Sequence, residues 1–576
     1  MSRAVPLDLQ RRPPPGSTPR FSRPGSRRSP NVSPAGVPLT PNKFTLPTLS
    51  ELLWRTFKPT PERPYRRAMV YVSLFLIGVS IITITAYILI KLLCTVMGKR
   101  VRRIAAARRN EILEGKDAAA AATAVIVGFF HPYCNAGGGG ERVLWTAVAA
   151  TMREYPNTVV AIYTGDVDVS KDEILKRANM RFEINLLAET DRIHIVYLHK
   201  RLLVSAARWP RLTLLGQATG SIGLAYEAMC ALVPDVFIDT MGYAFTYPLV
   251  SMLLNIPVGA YVHYPMISTD MLGKLSLLTQ LPKFVYWCGF ALLYAVAGAF
   301  ADVVVANSTW TYQHIRSVWW ISRLLSTAFD KSKKLDFQVL YPPCSTTELS
   351  ALDIENVRQP IVLSIAQFRP EKRHEVILEQ FAAFVKAGEE DARKRVSLVL
   401  IGSVRDDCDR KRVSELQLLA RQLDIEERVE FVLEASWSLT KQYLAKASVG
   451  VNAMWNEHFG IGVVEYCAAG LIPVVHASGG PLLDIVIPVD GVPSGFNFTT
   501  NSDRDSAAKG SKNMAACLEA VFALSEKEKQ GYRQRARTVA QRFSQESFET
   551  AWLERMRVLL MLEKYCRVAR LRGQRA

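Results

Sequence analysis

From Thr123 onward, short β-branched apolar runs alternate with longer helical stretches, and this pattern limits the fold more than any other feature of the chain. Runs at 125–130, 159–163, 194–197, 236–239, 258–263 and 303–306 read as strands apolar on both faces. Such strands need helices covering each side of the sheet, which is the situation in a parallel, doubly wound α/β sheet. A second set of runs follows at 361–365, 398–401, 429–432, 449–452 and 472–475. Two Rossmann-like domains are therefore expected, at 123–340 and 345–545, joined near Tyr341-Pro-Pro343, with 546–576 left as a C-terminal helix and basic tail. Two such domains facing each other leave a cleft outside the C-terminal edges of their strands, where open α/β sheets bind ligands.

Upstream the composition changes. Residues 1–64 hold 14 of the 30 prolines together with many Ser and Arg, too little apolar surface to offset chain entropy, so a disordered arm is expected. Residues 68–90 then form a stretch of 23 without a charge, about 34 Å as a helix, enough to span a hydrocarbon core of about 30 Å. The stretch lies too far from Met1 for a cleaved signal and reads as a single transmembrane anchor. Basic residues flank it on both sides, and the excess downstream favours a cytosolic C-terminal body. A second uncharged stretch, 284–301, reads as a buried helix leading into the strand at 303, or alternatively as a helix embedded in one leaflet.

The formal net charge of +18 invites a nucleic-acid reading, but its distribution argues against one. Residues 1–116 carry 21 Lys and Arg against 5 Asp and Glu, whereas the remaining 460 carry 50 against 48. The basicity thus belongs to the arm and the flanks of the anchor, where anionic lipid is the expected partner and nucleic acid is not. Nine scattered cysteines with no C-x-x-C pair fit a reducing compartment. Sequons at Asn31, Asn307 and Asn497 are accordingly read as unmodified.

Three segments carry the chemistry. The first expected strand runs into His131-Pro-Tyr-Cys-Asn-Ala-Gly-Gly-Gly-Gly-Glu-Arg-Val-Leu-Trp145. Gly137, Gly138, Gly139 and Gly140 let backbone amides approach an anion at the positive end of the helix that follows. The spacing is neither the dinucleotide G-x-G-x-x-G nor a P-loop, because Glu141-Arg142 follows Gly140. The second domain opens with Ile365-Ala-Gln-Phe-Arg-Pro-Glu-Lys-Arg-His374, whose Arg369, Lys372 and Arg373 are placed to neutralise a diphosphate without a metal. Trp455-Asn-Glu-His-Phe-Gly-Ile-Gly-Val-Val-Glu465 then sets two carboxylates eight positions apart. On a continuous helix they would stand about 12 Å apart, more than the roughly 5–9.5 Å of a glycosidase pair, so they are expected to hold opposite ends of one ligand. His476-Ala-Ser-Gly-Gly-Pro481 supplies a second glycine turn suited to phosphate oxygens.

Glu457 and Glu465 match the E-x7-E motif, and the chain over roughly 123–560 resembles the retaining glycosyltransferases of family 4, which have the GT-B fold. The run Gly128-Phe-Phe-His-Pro-Tyr-Cys-Asn-Ala-Gly-Gly-Gly-Gly-Glu-Arg-Val-Leu-Trp145 is similar, more specifically, to that of α-1,2-mannosyltransferases acting in protein N-glycosylation. Those enzymes extend dolichyl-diphosphate-linked trimannosyl chitobiose from GDP-mannose on the cytosolic side of the endoplasmic reticulum. The resemblance implies that Glu457 contacts the transferred sugar, Glu465 the ribose hydroxyls, and Lys372 the diphosphate with help from Gly479 and Gly480. It also implies donor contacts at Phe459 and Gly460 and an active-site His263, in Tyr261-Val-His-Tyr-Pro265. His131, Tyr133, Asn135, Glu141 and Arg142 stand as candidates on the acceptor side. Where many relatives have an Arg five positions before the Lys, this chain has Gln367, and Arg369 is the candidate substitute.

The expected reaction is front-face displacement with retention, with Arg369, Lys372 and backbone amides stabilising charge on the departing diphosphate. Neither a cofactor nor a metal is expected, since no His, Asp or Cys cluster has ligand spacing. The implied partners are the dolichol-linked acceptor, a nucleotide sugar, the endoplasmic reticulum membrane and other mannosyltransferases of the pathway. The rival readings are a same-fold transferase with another donor or linkage, such as an α-1,3/1,6-mannosyltransferase, a catalytically silent membrane scaffold, and a dinucleotide oxidoreductase using Asp166 as its ribose ligand.

Overall fold

A computed structural model describes residues 64–114, 123–273, 280–321, 336–387, 395–500 and 512–574. Residues 1–63 of the expected disordered arm lie outside the described residues. The chain divides into two compact units, 1–84 and 85–576.

The larger unit holds two sheets. The first contains β1 (Val125–Phe130), β2 (Thr158–Thr164), β3 (Ile193–Tyr197), β4 (Val236–Asp239), β5 (Val258–Val262), β6 (Val303–Ala306) and β7 (Asp336–Val339), in the order β3-β2-β1-β4-β5-β6-β7. The second contains β8 (Gln359–Ile365), β9 (Ser397–Gly402), β10 (Val429–Leu433), β11 (Ala447–Asn452), β12 (Ile472–His476) and β13 (Phe496–Phe498), in the order β10-β9-β8-β11-β12-β13. All pairings between these strands are parallel. This is the GT-B architecture, and each sheet reverses direction at its first strand, β1 or β8, so the topological switch points face the cleft.

The C-terminal segment does not stay with the second domain. Helix Gln545–Gln574 returns to the first, where Phe548, Trp552, Met556 and Leu559 enter the core formed by β1, β4, β5 and helix Gly139–Glu154. Each such apolar side chain contributes about 1.5–3 kcal/mol when buried. The Trp552 Nε1–H donates to Thr151 Oγ1 at 2.9 Å, and its ring stacks on Phe129 at 6.1 Å.

One helix, Pro64–Leu113, contains the expected anchor but runs for 50 residues. From Met69 to Met97 its large apolar side chains are mostly exposed, without a protein partner among the described residues. Beyond Met97 it docks on the first domain: Val101, Ala105 and Ile112 are buried, and Arg109 pairs with Asp235 at 2.9 Å. Gly98 makes this docking possible, since a Cβ there would lie 2.1 Å from the Leu253 carbonyl oxygen.

The second uncharged stretch folds as helix Leu281–Gly298, and burial is only half its character. Phe290, Tyr294, Ala295, Ala297 and Gly298 face the core, whereas Val285, Leu292, Leu293 and Val296 are 42–61% exposed. One face thus packs as the buried-helix reading expects, and an outer apolar stripe, as the leaflet alternative would need, is left without protein cover among the described residues.

Candidate functional site

The site is assembled from the turns that leave β1, β5, β8, β11 and β12 at the cleft. On the first-domain side, β1 ends at Phe130 and the glycine run leads directly into helix Gly139–Glu154. Gly137 has φ +77°, a backbone region in which a side chain would be strained. Gly138 donates its N–H to Glu141 Oε2 at 2.5 Å, closing the first turn of the helix. At Gly139 a Cβ would lie 2.4 Å from Cδ1 of Ile461, the first residue of helix Ile461–Ala469 in the second domain. The lack of a side chain at that position thus allows two helix N-termini, one from each domain, to meet, which brings their positive ends close together.

His263, at the end of β5, stands over the same turn. Its Nε2 is buried, has no hydrogen-bond partner among the described residues, and lies 3.5 Å from where a Cβ on Gly140 would be. Burial pulls its pKa down to about 4, helped by the nearby His131. The imidazole is therefore neutral near pH 7 and offers a hydrogen bond rather than a charge.

Across the cleft, the turn after β8 presents Lys372. Its Nζ lies 2.5 Å from Glu457 Oε2 and 3.2 Å from Met454 Sδ. Asn452 Nδ2 donates to the same carboxylate oxygen at 3.4 Å. Gly479 has φ +64°, and a Cβ there would lie 2.3 Å from the Glu457 carbonyl oxygen. Gly480 donates its N–H to that oxygen at 2.8 Å. The amide of Gly480 is thus engaged by the loop rather than presented to phosphate, and the glycine pair serves the close approach of two backbones. Gly460, with φ +106°, turns the loop into helix Ile461–Ala469. That helix carries Glu465, half-buried beside Val464 and Tyr466, and burial raises its carboxyl to about 7 against the opposing pull of Arg142.

Several expected site residues sit elsewhere. Phe459 is 3% exposed and packs on Tyr341 and Phe543 at 5.8 and 5.3 Å, so it anchors the domain junction instead of facing a ligand. His131 and Glu141 are buried behind the glycine run rather than open to an acceptor. The His131 Nδ1 is 2.7 Å from Thr240 Oγ1 and its Nε2 3.4 Å from Glu141 Oε1, a contact that holds the Glu141 pKa down against the effect of burial. Arg142 donates to Ser345 Oγ at 2.6 Å and acts on the charge of Glu465, which puts it on the Glu465 side of the cleft rather than the acceptor side. Tyr133 is half-buried under the Arg201 guanidinium at 4.9 Å. The backbone N–H of Asn135 donates to Asp166 Oδ2 at 3.0 Å. Asp166 also pairs with Arg201 and accepts from Thr164 Oγ1, so it is held by its own loop rather than free for a ribose, against the oxidoreductase reading. Arg369 is half-exposed and 3.7 Å from Glu371.

Arg405, in the turn after β9, was missed. Burial lowers its pKa, and the charge of Arg369 lowers it further. Its position just past a strand C-terminus, like that of Lys372 after β8, was the available signal.

Residues 124–319 match the family described as ALG11 mannosyltransferase N-terminus, and residues 348–529 match Glycosyl transferases group 1. The chain is 49% identical to a GDP-Man:Man(3)GlcNAc(2)-PP-Dol alpha-1,2-mannosyltransferase of Neurospora crassa, over 75% of this chain and 79% of that protein. It is 39% identical to the protein of the same name in Homo sapiens, over 74% of this chain and 86% of that one. Among solved structures, the α,α-trehalose 6-phosphate synthase of Burkholderia multivorans superposes with a TM-score of 0.54 at 13% identity, covering 76% of this chain and 99% of that one, a likeness of fold alone. The chain belongs to the family of GDP-Man:Man(3)GlcNAc(2)-PP-Dol alpha-1,2-mannosyltransferases.

Proposed function

We propose that this chain transfers mannose in α-1,2 linkage from GDP-mannose to the trimannosyl chitobiose carried on dolichyl diphosphate, with retention, at the cytosolic face of the endoplasmic reticulum. Its relatives in fungi and animals bear the name of this activity. The observation that carries the reading is the convergence of Lys372 and Glu457 with the facing helix N-termini at Gly139 and Ile461.

In this reading a diphosphate enters between the two helix ends and draws the Lys372 ammonium toward it, with Arg369 and Arg405 at the rim. Glu457, released from Lys372, accepts from hydroxyls of the sugar, and Glu465 accepts from the ribose. The neutral His263 hydrogen-bonds to the sugar from the first domain. As C1 separates from the leaving oxygen, positive charge already in place stabilises the growing negative charge. The departing phosphate oxygen takes the proton of the attacking hydroxyl, so no side-chain nucleophile and no metal are needed.

A lipid-borne acceptor must reach this cleft from a membrane. In this reading the exposed apolar helix from Met69 to Met97 is the single-pass anchor, and the outer stripe of helix Leu281–Gly298 is a second surface for lipid. The deciding experiment is transfer by purified protein from labelled GDP-mannose to a phytanyl- or dolichyl-linked trimannosyl acceptor, with linkage analysis of the product and UDP-sugars as competitors. Transfer from a UDP-sugar, or an α-1,3 or α-1,6 product, would replace this reading with a same-fold alternative. Protease protection in sealed microsomes tests the topology, and a protected C-terminal body would refute it.

A further inference from the structure

The loop that carries Glu457 is held on both sides of that residue by the opposite domain. His458 lies between two first-domain rings: Tyr264, stacked at 5.4 Å and 14°, and Trp310, at 5.0 Å and 33°. Trp310 is itself backed by His314 at 4.0 Å. On the other side, Asn456 Nδ2 donates to Asp270 Oδ2 at 2.7 Å, and His314 Nε2 lies 3.4 Å from that same oxygen. Asn456 has φ +52°, in the left-handed region that Asn adopts more readily than most non-glycine residues, and its backbone N–H donates to Ser478 Oγ at 2.8 Å. The polar contacts of the Glu457 side chain, by contrast, are with Lys372 and Asn452 of its own domain. Burial lowers the His458 pKa, so the ring that stacks is neutral.

We infer that His458 is a positioning residue for Glu457. Its stack between Tyr264 and Trp310, with the Asn456–Asp270 hydrogen bond, ties the loop of the sugar-contacting carboxylate to the first domain, adding to the hold that its own domain exerts on the loop backbone through Ser478 and Gly480. The inference rests on the reading of Glu457 as the sugar contact. A ring at position 458 supplies the hold through its faces, which separates it from a residue that acts through a proton or a charge. Loss of the ring removes no group that faces the diphosphate, and it loosens the hold on the carboxylate. A displacement of about 1 Å at a reacting centre costs up to about a hundredfold in rate.

The test uses the full-length protein in detergent, with steady-state transfer from GDP-mannose and equilibrium binding of GDP measured on each variant. His458→Ala is expected to lower kcat by about tenfold to a hundredfold while GDP affinity stays within about twofold, and His458→Phe is expected to restore kcat to within about threefold of wild type. Asp270→Ala, which cuts the Asn456 hold without removing a packed ring, is expected to lower kcat with GDP binding likewise unchanged, and it stands in should His458→Ala fail to fold. Unchanged kcat in His458→Ala, or in Asp270→Ala where it stands in, overturns the inference, as does a His458→Phe variant no better than His458→Ala. Glu457→Ala separates the two levels. If it abolishes transfer while His458→Ala does not, only the positioning role is wrong; if it leaves transfer intact, the sugar-contact reading falls and this inference with it.

Discussion

Replacing Glu465 by Gln isolates one electrostatic cost of building the cleft. The carboxyl sits at the first turns of helix Ile461–Ala469 among apolar neighbours, and burial displaces its pKa from 4.5 to about 7. A carboxyl whose pKa is raised on folding favours the folded state fully below the unfolded value, near 4.5. That advantage drains away as the pH rises and is gone above about 7. At about 1.36 kcal/mol per pH unit the loss comes to about 3 kcal/mol. Gln keeps the shape and cannot ionise, so the variant does not suffer this loss. For a domain of this size, roughly 2–4 °C of Tm per kcal/mol converts the difference to about 6–12 °C. The assay is thermal unfolding of wild type and Glu465→Gln from pH 4.5 to 8. The gap Tm(variant) minus Tm(wild type) should widen with rising pH and level off above about 7. Parallel curves would refute the argument, because they would mean that Glu465 is solvated enough to ionise freely. Arg142→Ala provides an internal check: removing the one opposing charge should raise the carboxyl pKa further and move the same profile to higher pH.

Three further outcomes follow from the geometry. Lys372→Ala removes the cation 2.5 Å from Glu457 and should lower kcat for mannosyl transfer by about a hundredfold or more; a loss under about threefold would remove Lys372 from charge stabilisation. Gly479→Ala sets a Cβ against the Glu457 carbonyl in a left-handed backbone and should destabilise the protein by about 1–3 kcal/mol and depress transfer, and wild-type values in both measurements would show that the loop tolerates the approach. EDTA treatment should leave transfer unchanged, and activity lost to EDTA and restored by manganese would contradict the metal-free reaction.

Much of the fold is legible in the residues alone, for a local reason. Strands inside a parallel sheet are covered on both faces, so nearly every side chain along 125–130 or 472–475 is apolar, and turn chemistry marks where each run stops. The two strands that escape this reading, β7 and β13, are edge strands with a partner on one side only. Gln338 in Asp336–Val339 and Asn497 in Phe496–Phe498 are polar because they face solvent there, and at three or four residues these strands are too short to show a period. The glycine run, Lys372 and the paired glutamates are legible for the same kind of reason, since their chemistry is written at consecutive positions.

What only the tertiary structure decided is which of those positions meet. Phe459 and His458 are neighbours in a polar-aromatic loop, and sequence does not distinguish them. One turns into the junction against Phe543, and the other turns out between Tyr264 and Trp310. Arg142 follows the glycine run and reads as part of it, yet the helix carries it to Glu465, more than three hundred positions away. The return of helix Gln545–Gln574 to the first domain is of the same kind. The sequence by itself determined the two sheets, the turns at their C-terminal edges and the residue types placed there, because each depends on neighbours within a few positions. The assembly of the cleft depended on packing between elements distant in the chain, where burial and close approach select partners that no local pattern encodes.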